Sequence, residues 1–241
     1  MIRKSVSKLM MLLGGIFILS MFGGTVEAAE LNIDNLNSDS MVKVAKMINE
    51  NYDTSIMTNE ELDNLTIELL NQFPKQSTRS GVASPGKILN SKEKELAKKY
   101  PSESVNCFFY ADIASNAARK TFSNATTDGT DGNAFQHFYW NILMTNRYGA
   151  GVAERWGSAH EYGTSGPYTQ MDLANNAAGR NTYNDCANFT IGMKGRRPVA
   201  KDMAEWTVKM IFNRRLYKLN SSRTGLIATT GAGFTGTVYH Q

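Results

Sequence analysis

Two of the three histidines in this 241-residue chain lie in one stretch together with the acids and amides that chemistry would need. Asn133, His137 and Asn141 recur at a spacing of four, so on a helix they form a single polar line. Phe135, Phe138, Tyr139, Trp140, Ile142, Leu143 and Met144 make most of the remaining circumference apolar, and a helix apolar nearly all round is buried. An unsatisfied buried polar group costs about 1–3 kcal/mol, so the line must meet partners: core hydrogen bonds, a metal or a substrate. The next helical segment ends in His160-Glu161, and a third places Asp172, Asn176 and Arg180 on one line with Asn175 and Gly179 beside it. Three short helices joined by short loops can project all of these groups toward a common axis.

Three chemistries fit those residue types. In the first, His137, His160 and Asp172 hold a divalent metal such as zinc, Glu161 acts as general base on a metal-bound water, and Arg180 holds an anionic substrate. The position four beyond His160 is Thr164, so the two-histidine helix motif of zinc proteases is absent. In the second, no metal is used. One histidine serves as base and the other as acid, Glu161 or Asp172 orients an imidazole, and Arg180 stabilises the developing charge, as hydrolysis of RNA or lipid would require. In both, Asn133, Asn141, Asn175 and Asn176 supply hydrogen bonds to the substrate. In the third, the same side chains satisfy one another as a buried network, and the protein is an extracellular or wall-associated interaction module.

The three blocks that carry these residues are Asn133-Ala-Phe-Gln-His-Phe-Tyr-Trp-Asn141, His160-Glu161, and Met171-Asp-Leu-Ala-Asn-Asn-Ala-Ala-Gly-Arg180. Together they resemble an uncharacterised domain of bacterial secreted and phage-associated proteins, over roughly residues 95–190. The resemblance implies membership and a shared polar site. It implies no reaction.

The elements that must position the blocks are almost all of helical period. Ser40 to Asn51 sets Met41, Val44, Ala45 and Ile48 on one face. Thr58 with Glu61 three residues on forms a capping box ahead of Leu62, Leu65, Leu69 and Leu70. Helices are expected over Ser91 to Lys99, Ser102 to Phe122, Ala134 to about Gly149, Gly151 to Glu161, Gln170 to Arg180, and from Pro198 to about Leu219. The expected fold is therefore mainly α: a compact multi-helix domain with a central three-helix polar site and a short N-terminal helical region. Its core domain spans residues 91–220, preceded by an acidic helical region with a linker (29–90) and followed by a Gly/Thr-rich tail or hairpin (221–241). Asp128, Asp131 and Asn133 offer oxygen atoms, but Gly132 and Tyr139 occupy the fifth and twelfth positions, so the loop reads as a turn and helix cap rather than a calcium site.

Composition narrows the classes further. With 41% apolar and 20% charged residues the chain is globular, and two cysteines exclude a disulfide-dense scaffold or a four-cysteine zinc module. Arg3, Lys4 and Lys8 precede an apolar run from Leu9 to Phe22 and small residues near Ala28, the pattern of a secretory signal peptide over residues 1–28. The protein is thus expected to be secreted, extracellular or cell-wall associated, with no transmembrane anchor after processing. In that compartment Cys107 and Cys186 could pair, closing a loop worth about 4 kcal/mol in the chain-entropy model, or remain buried thiols. From Glu30 to Gln72 nine acidic residues face two basic ones, and from Lys194 to Arg223 nine basic residues face two acidic ones. The basic end could attract a nucleic acid or phospholipid, or the two ends could simply neutralise each other.

Overall fold

A computed structural model describes residues 30–33, 36–72 and 88–240; the expected signal peptide and the Ser/Gly/Pro-rich linker lie outside them. Among the described residues the chain forms nine α-helices: α1 Ser38–Asn51, α2 Asn59–Asn71, α3 Ser91–Lys99, α4 Pro101–Thr121, α5 Asp131–Tyr148, α6 Ala150–His160, α7 Pro167–Asn181, α8 Tyr183–Lys194 and α9 Ala200–Phe212. Two short antiparallel strands, β1 Tyr217–Leu219 and β2 Leu226–Ala228, follow, with Lys218 opposite Ile227. The architecture is mainly helical, as the periodicity predicts, and no described helix is long and apolar enough to cross a membrane.

The aromatic helix α5 is the axis of the fold. It packs against α4, α6, α7 and α9, and thirteen of its residues from Asp131 to Met144 are buried together with Thr145. Phe135, Phe138, Tyr139, Ile142 and Met144 are wholly inaccessible and share a core with Ala114 and Ala118 of α4, Trp156 of α6 and Met203 and Ile211 of α9. The Trp140 indole N–H donates to the Cys107 carbonyl at 2.9 Å, so even its polar atom is used. A second apolar cluster joins Met41, Val44 and Ile48 of α1 and Leu65, Leu69 and Leu70 of α2 to Ala97 of α3 and Val105 of α4.

Sequence pattern and structure part at the C-terminal side. Helix α8 is not signalled by periodicity, because Tyr-Asn-Asp-Cys-Ala-Asn-Phe-Thr is poor in strong helix formers. Helix α9 stops at Phe212 instead of continuing to Leu219, and Arg214, in the left-handed region at φ 59°, turns the chain into the hairpin. The Gly/Thr-rich end is packed rather than loose. Phe234 lies against Phe122 and Phe212, the Thr235 N–H donates to the Thr121 carbonyl at 2.9 Å, and the Tyr139 hydroxyl donates to the His240 carbonyl at 3.2 Å.

Candidate functional site

Helix α5 begins with a cap that fixes its rotation. The Thr130 hydroxyl accepts the Asn133 N–H, while the Asp131 carboxylate accepts the N–H groups of Thr230 and Gly231 and pairs with Lys218 at 2.8 Å. The acidic loop is therefore a turn and cap that clamps the C-terminal segment. Asn133 itself accepts the Gly129 N–H at 3.1 Å and holds this loop, so it stands outside the polar site. Asn175 is also spent on the fold: it exchanges two hydrogen bonds with the Tyr217 backbone, at 2.9 and 3.0 Å, and docks β1.

One turn further along α5, His137 is 7% exposed and does meet the expected acids. Its Nε2 lies 3.2 Å from Asp172 Oδ1 of α7, and its Nδ1 lies 3.9 Å from Glu161 Oε1 at the end of α6 and 3.3 Å from Asn176 Oδ1. Helices α5 and α7 can approach this closely because Gly179 has no side chain: a Cβ there would stand 2.5 Å from the Phe138 carbonyl oxygen. Gly157 does the same for α6, where a Cβ would be 3.2 Å from Asn141 Oδ1.

A chain of amides runs behind His137. Arg180 Nη1 donates to Asn141 Oδ1 at 3.2 Å, and Asn141 Nδ2 donates to the His137 carbonyl at 3.2 Å and to Asn176 Oδ1 at 2.6 Å. A guanidinium can only donate, so Asn141 must turn its oxygen to Arg180 and its amino group to Asn176. The atom of Asn176 that faces His137 is then an oxygen, and Nδ1 must carry the ring proton. Arg180 thereby orients a histidine three hydrogen bonds away. It does so at a cost to the anion-binding role expected of it, since its other amino group lies 3.9 Å from Glu154. Burial also pulls the Arg180 pKa below its ordinary value, with Glu154 opposing.

His160 is placed differently from the expectation that it joins His137 and Asp172 around a metal. Among the described residues its side chain makes one hydrogen bond, from Nδ1 to Glu93 Oε1 at 2.8 Å, and its ring meets Trp140 edge-on. The residues whose potential ligand atoms all lie within 4.8 Å of one another are His137, Glu161 and Asp172, so Glu161 takes the place given to His160. The reason is helical: His160 and Glu161 are adjacent and point in different directions at the end of α6. His160 instead joins His137, Trp140, Gln136 and Ala111 around a cleft of about 60 Å³, with the two imidazole centroids 6.3 Å apart. That volume admits a few waters or one small anionic group.

Glu93 escaped the sequence reading. It is 2% exposed, its Oε2 accepts the Asn90 N–H at 2.8 Å, and its Oε1 meets His160, while Asn90 Nδ2 donates to the Ala159 carbonyl at 2.7 Å. The Asn90-to-Glu93 spacing is legible as a helix start, but nothing local says that the same carboxylate reaches a histidine sixty-seven residues away.

The bridge between Cys107 and Cys186 is not formed: both are free thiols, buried on α4 and α8. Burial raises the Cys107 thiol well above its ordinary pKa and pushes Cys186 up to about 11, which makes both poor nucleophiles.

Residues 94–205 match a family described as a domain of unknown function (DUF6973). The DUF6973 stretch contains His137, His160, Glu161, Asp172, Asn176 and Arg180, and it ends within α9. Glu93 lies immediately before it. No curated protein and no solved structure matches the chain.

Proposed function

We propose that the protein is an exported hydrolase that cleaves a phosphoester or ester bond in an anionic substrate at the cleft between α4, α5 and α6. The observation that supports this reading is the pair of imidazoles 6.3 Å apart on that cleft, one backed by Asp172 and Glu161 and the other by Glu93. With Nδ1 tied to a buried carboxylate, His160 turns its other nitrogen toward the reacting oxygen, the arrangement a carboxylate-oriented acid–base histidine requires. His137 holds the floor of the site.

The test is turnover by the chain beginning at Glu30, measured on three substrate classes: RNA, an aryl phosphodiester and anionic phospholipid. Removal of a positioned acid–base group typically costs 10²–10⁴-fold, so His160→Ala is expected to lower kcat/KM by about 100-fold or more on the class that is cleaved. Absence of turnover on all three, or unchanged turnover in His160→Ala and His137→Ala, overturns the hydrolase.

One observation favours a non-enzymatic, wall-associated interaction module instead. Asn141 and Asn176 are wholly buried and bonded to each other, which is what a network that fixes helix packing would show. In that case both histidine variants lose stability in proportion to the bonds removed, and no substrate of the three classes is consumed.

A further inference from the structure

We infer that His137, Asp172 and Glu161 form a binding site for one divalent transition ion of the zinc class, with Asn176 as the group that orients the histidine. The inference deepens the hydrolase reading by giving its site a Lewis acid, but it stands on separate observations. The first is the tautomer. The Arg180–Asn141–Asn176 chain places a ring proton on Nδ1, so Nε2, which faces Asp172 Oδ1 at 3.2 Å, is the nitrogen a metal ion would take. With the Glu161 carboxylate, these groups are a buried or half-buried set of one imidazole nitrogen and two acids whose ligand atoms all lie within 4.8 Å of one another. The second is the spacing. Bonds of about 2.0–2.1 Å in a tetrahedral shell put neighbouring ligand atoms about 3.3 Å apart, and Nε2 and Oδ1 are 3.2 Å apart.

The third observation is the surrounding shell. A metal-bound histidine ordinarily donates its second N–H to a carbonyl or carboxylate, and Asn176 Oδ1 receives it here at 3.3 Å. Glu161, at the C-terminal end of α6, completes the set within 4.8 Å. One imidazole nitrogen and two carboxylates form a borderline set that prefers zinc, cobalt or manganese over calcium and magnesium, and three protein ligands leave room for substrate or water. His160 is outside the set, held by Glu93.

The experiment uses the chain from Glu30, stripped with chelator and titrated with Zn²⁺, Co²⁺ and Mn²⁺ in a calorimeter, with the visible absorption of the Co²⁺ form as a spectroscopic readout. The expected result is one equivalent bound, lost by at least 100-fold in Asp172→Asn, weakened in Glu161→Gln, weakened about 10–100-fold in Asn176→Ala and retained in His160→Ala. The isosteric Asp172→Asn and Glu161→Gln variants keep the shape of the site, and their thermal midpoints without metal verify that they are folded. Binding that is absent in the parent chain, or unchanged in both carboxamide variants, overturns the site; the proton of an imidazolium then fills the gap between His137 and Asp172. Stoichiometric metal with no turnover on any substrate class retains the site and removes the hydrolase.

Discussion

Where α1 and α2 cover α4, the buried side chains are Met41, Val44, Ile48, Leu65, Leu69 and Leu70; where α7 crosses α5, they include His137, Asn141, Asn175 and Asn176. Polar atoms are buried in the first region too, but each is satisfied inside its own helix. Ser40 closes a capping box with Asn37, and the Thr66 hydroxyl donates to the Leu62 carbonyl at 2.7 Å. In the second region the bonds run between elements: Asn141 to Asn176 and Arg180 to Asn141 from helix to helix, and Asn175 to the Tyr217 backbone from helix to strand. Apolar contact tolerates small slips in register, because burial is proportional to area and has no direction. Interhelical amide bonds do not, since a shift of an ångström or so leaves a buried donor or acceptor unsatisfied. The α5–α7 crossing is built for position, and it is the region that contains the candidate site.

That contrast can be broken first in the apolar layer. Leu69→Ala removes a 5%-exposed side chain from the α1–α2 cluster and is expected to cost about 2–5 kcal/mol in urea unfolding while leaving metal affinity within twofold. A change in affinity comparable to that of Asp172→Asn would show that the two regions are one unit. Gly179→Ala should cost less, about 1–3 kcal/mol, yet disturb the site more, because its methyl group would sit 2.5 Å from the Phe138 carbonyl and 3.0 Å from Asn141 Cβ. Gly192→Ala on α8, with open space around the new methyl group, is the control and should stabilise by about 0.5–1 kcal/mol. Equal effects of the two substitutions would refute the close-crossing argument.

The smallest effect concerns a buried acid satisfied within its own segment. Burial alone would raise the Asp202 pKa, but hydrogen bonds from Arg196, Lys194 and the Val199 N–H outweigh it and hold the carboxyl well below the usual range. A carboxyl lowered in the folded state adds stability above its unfolded pKa of about 3.9, and that stability is lost as pH falls toward the folded value. The urea midpoint should therefore drop between pH 5 and pH 3, and drop less in Asp202→Asn. An identical acid profile for the variant would show that other carboxylates carry the effect.

Much of this was legible in the residues themselves. The capping box at Thr58 and Glu61 forms as its spacing predicts, with the Thr58 N–H donating to Glu61 Oε2 at 2.7 Å, and α3 spans Ser91 to Lys99 as expected. Both are local: cap and periodicity are written within a few residues. Helix α8 was not legible because its residues have middling helix propensity and tertiary packing carries it, with Cys186 and Thr190 buried. The four asparagines looked equivalent in sequence and are not. Asn141 and Asn176 face the site, Asn133 holds a loop and Asn175 holds a strand.

That the protein is helical, that α5 is buried and that a polar line on it must find partners follows from residue period and from the cost of burying an unpaired dipole. Which partners it meets is set by the packing of distant elements. His160 and Glu161 are neighbours in the chain, yet one turns to Glu93 of α3 and the other toward His137 of α5. Side-chain direction at a helix end changes sharply from one residue to the next, and the partners come from elements far apart in sequence. The choice between a histidine and a glutamate beside His137 and Asp172 was therefore made by how α3, α5, α6 and α7 pack.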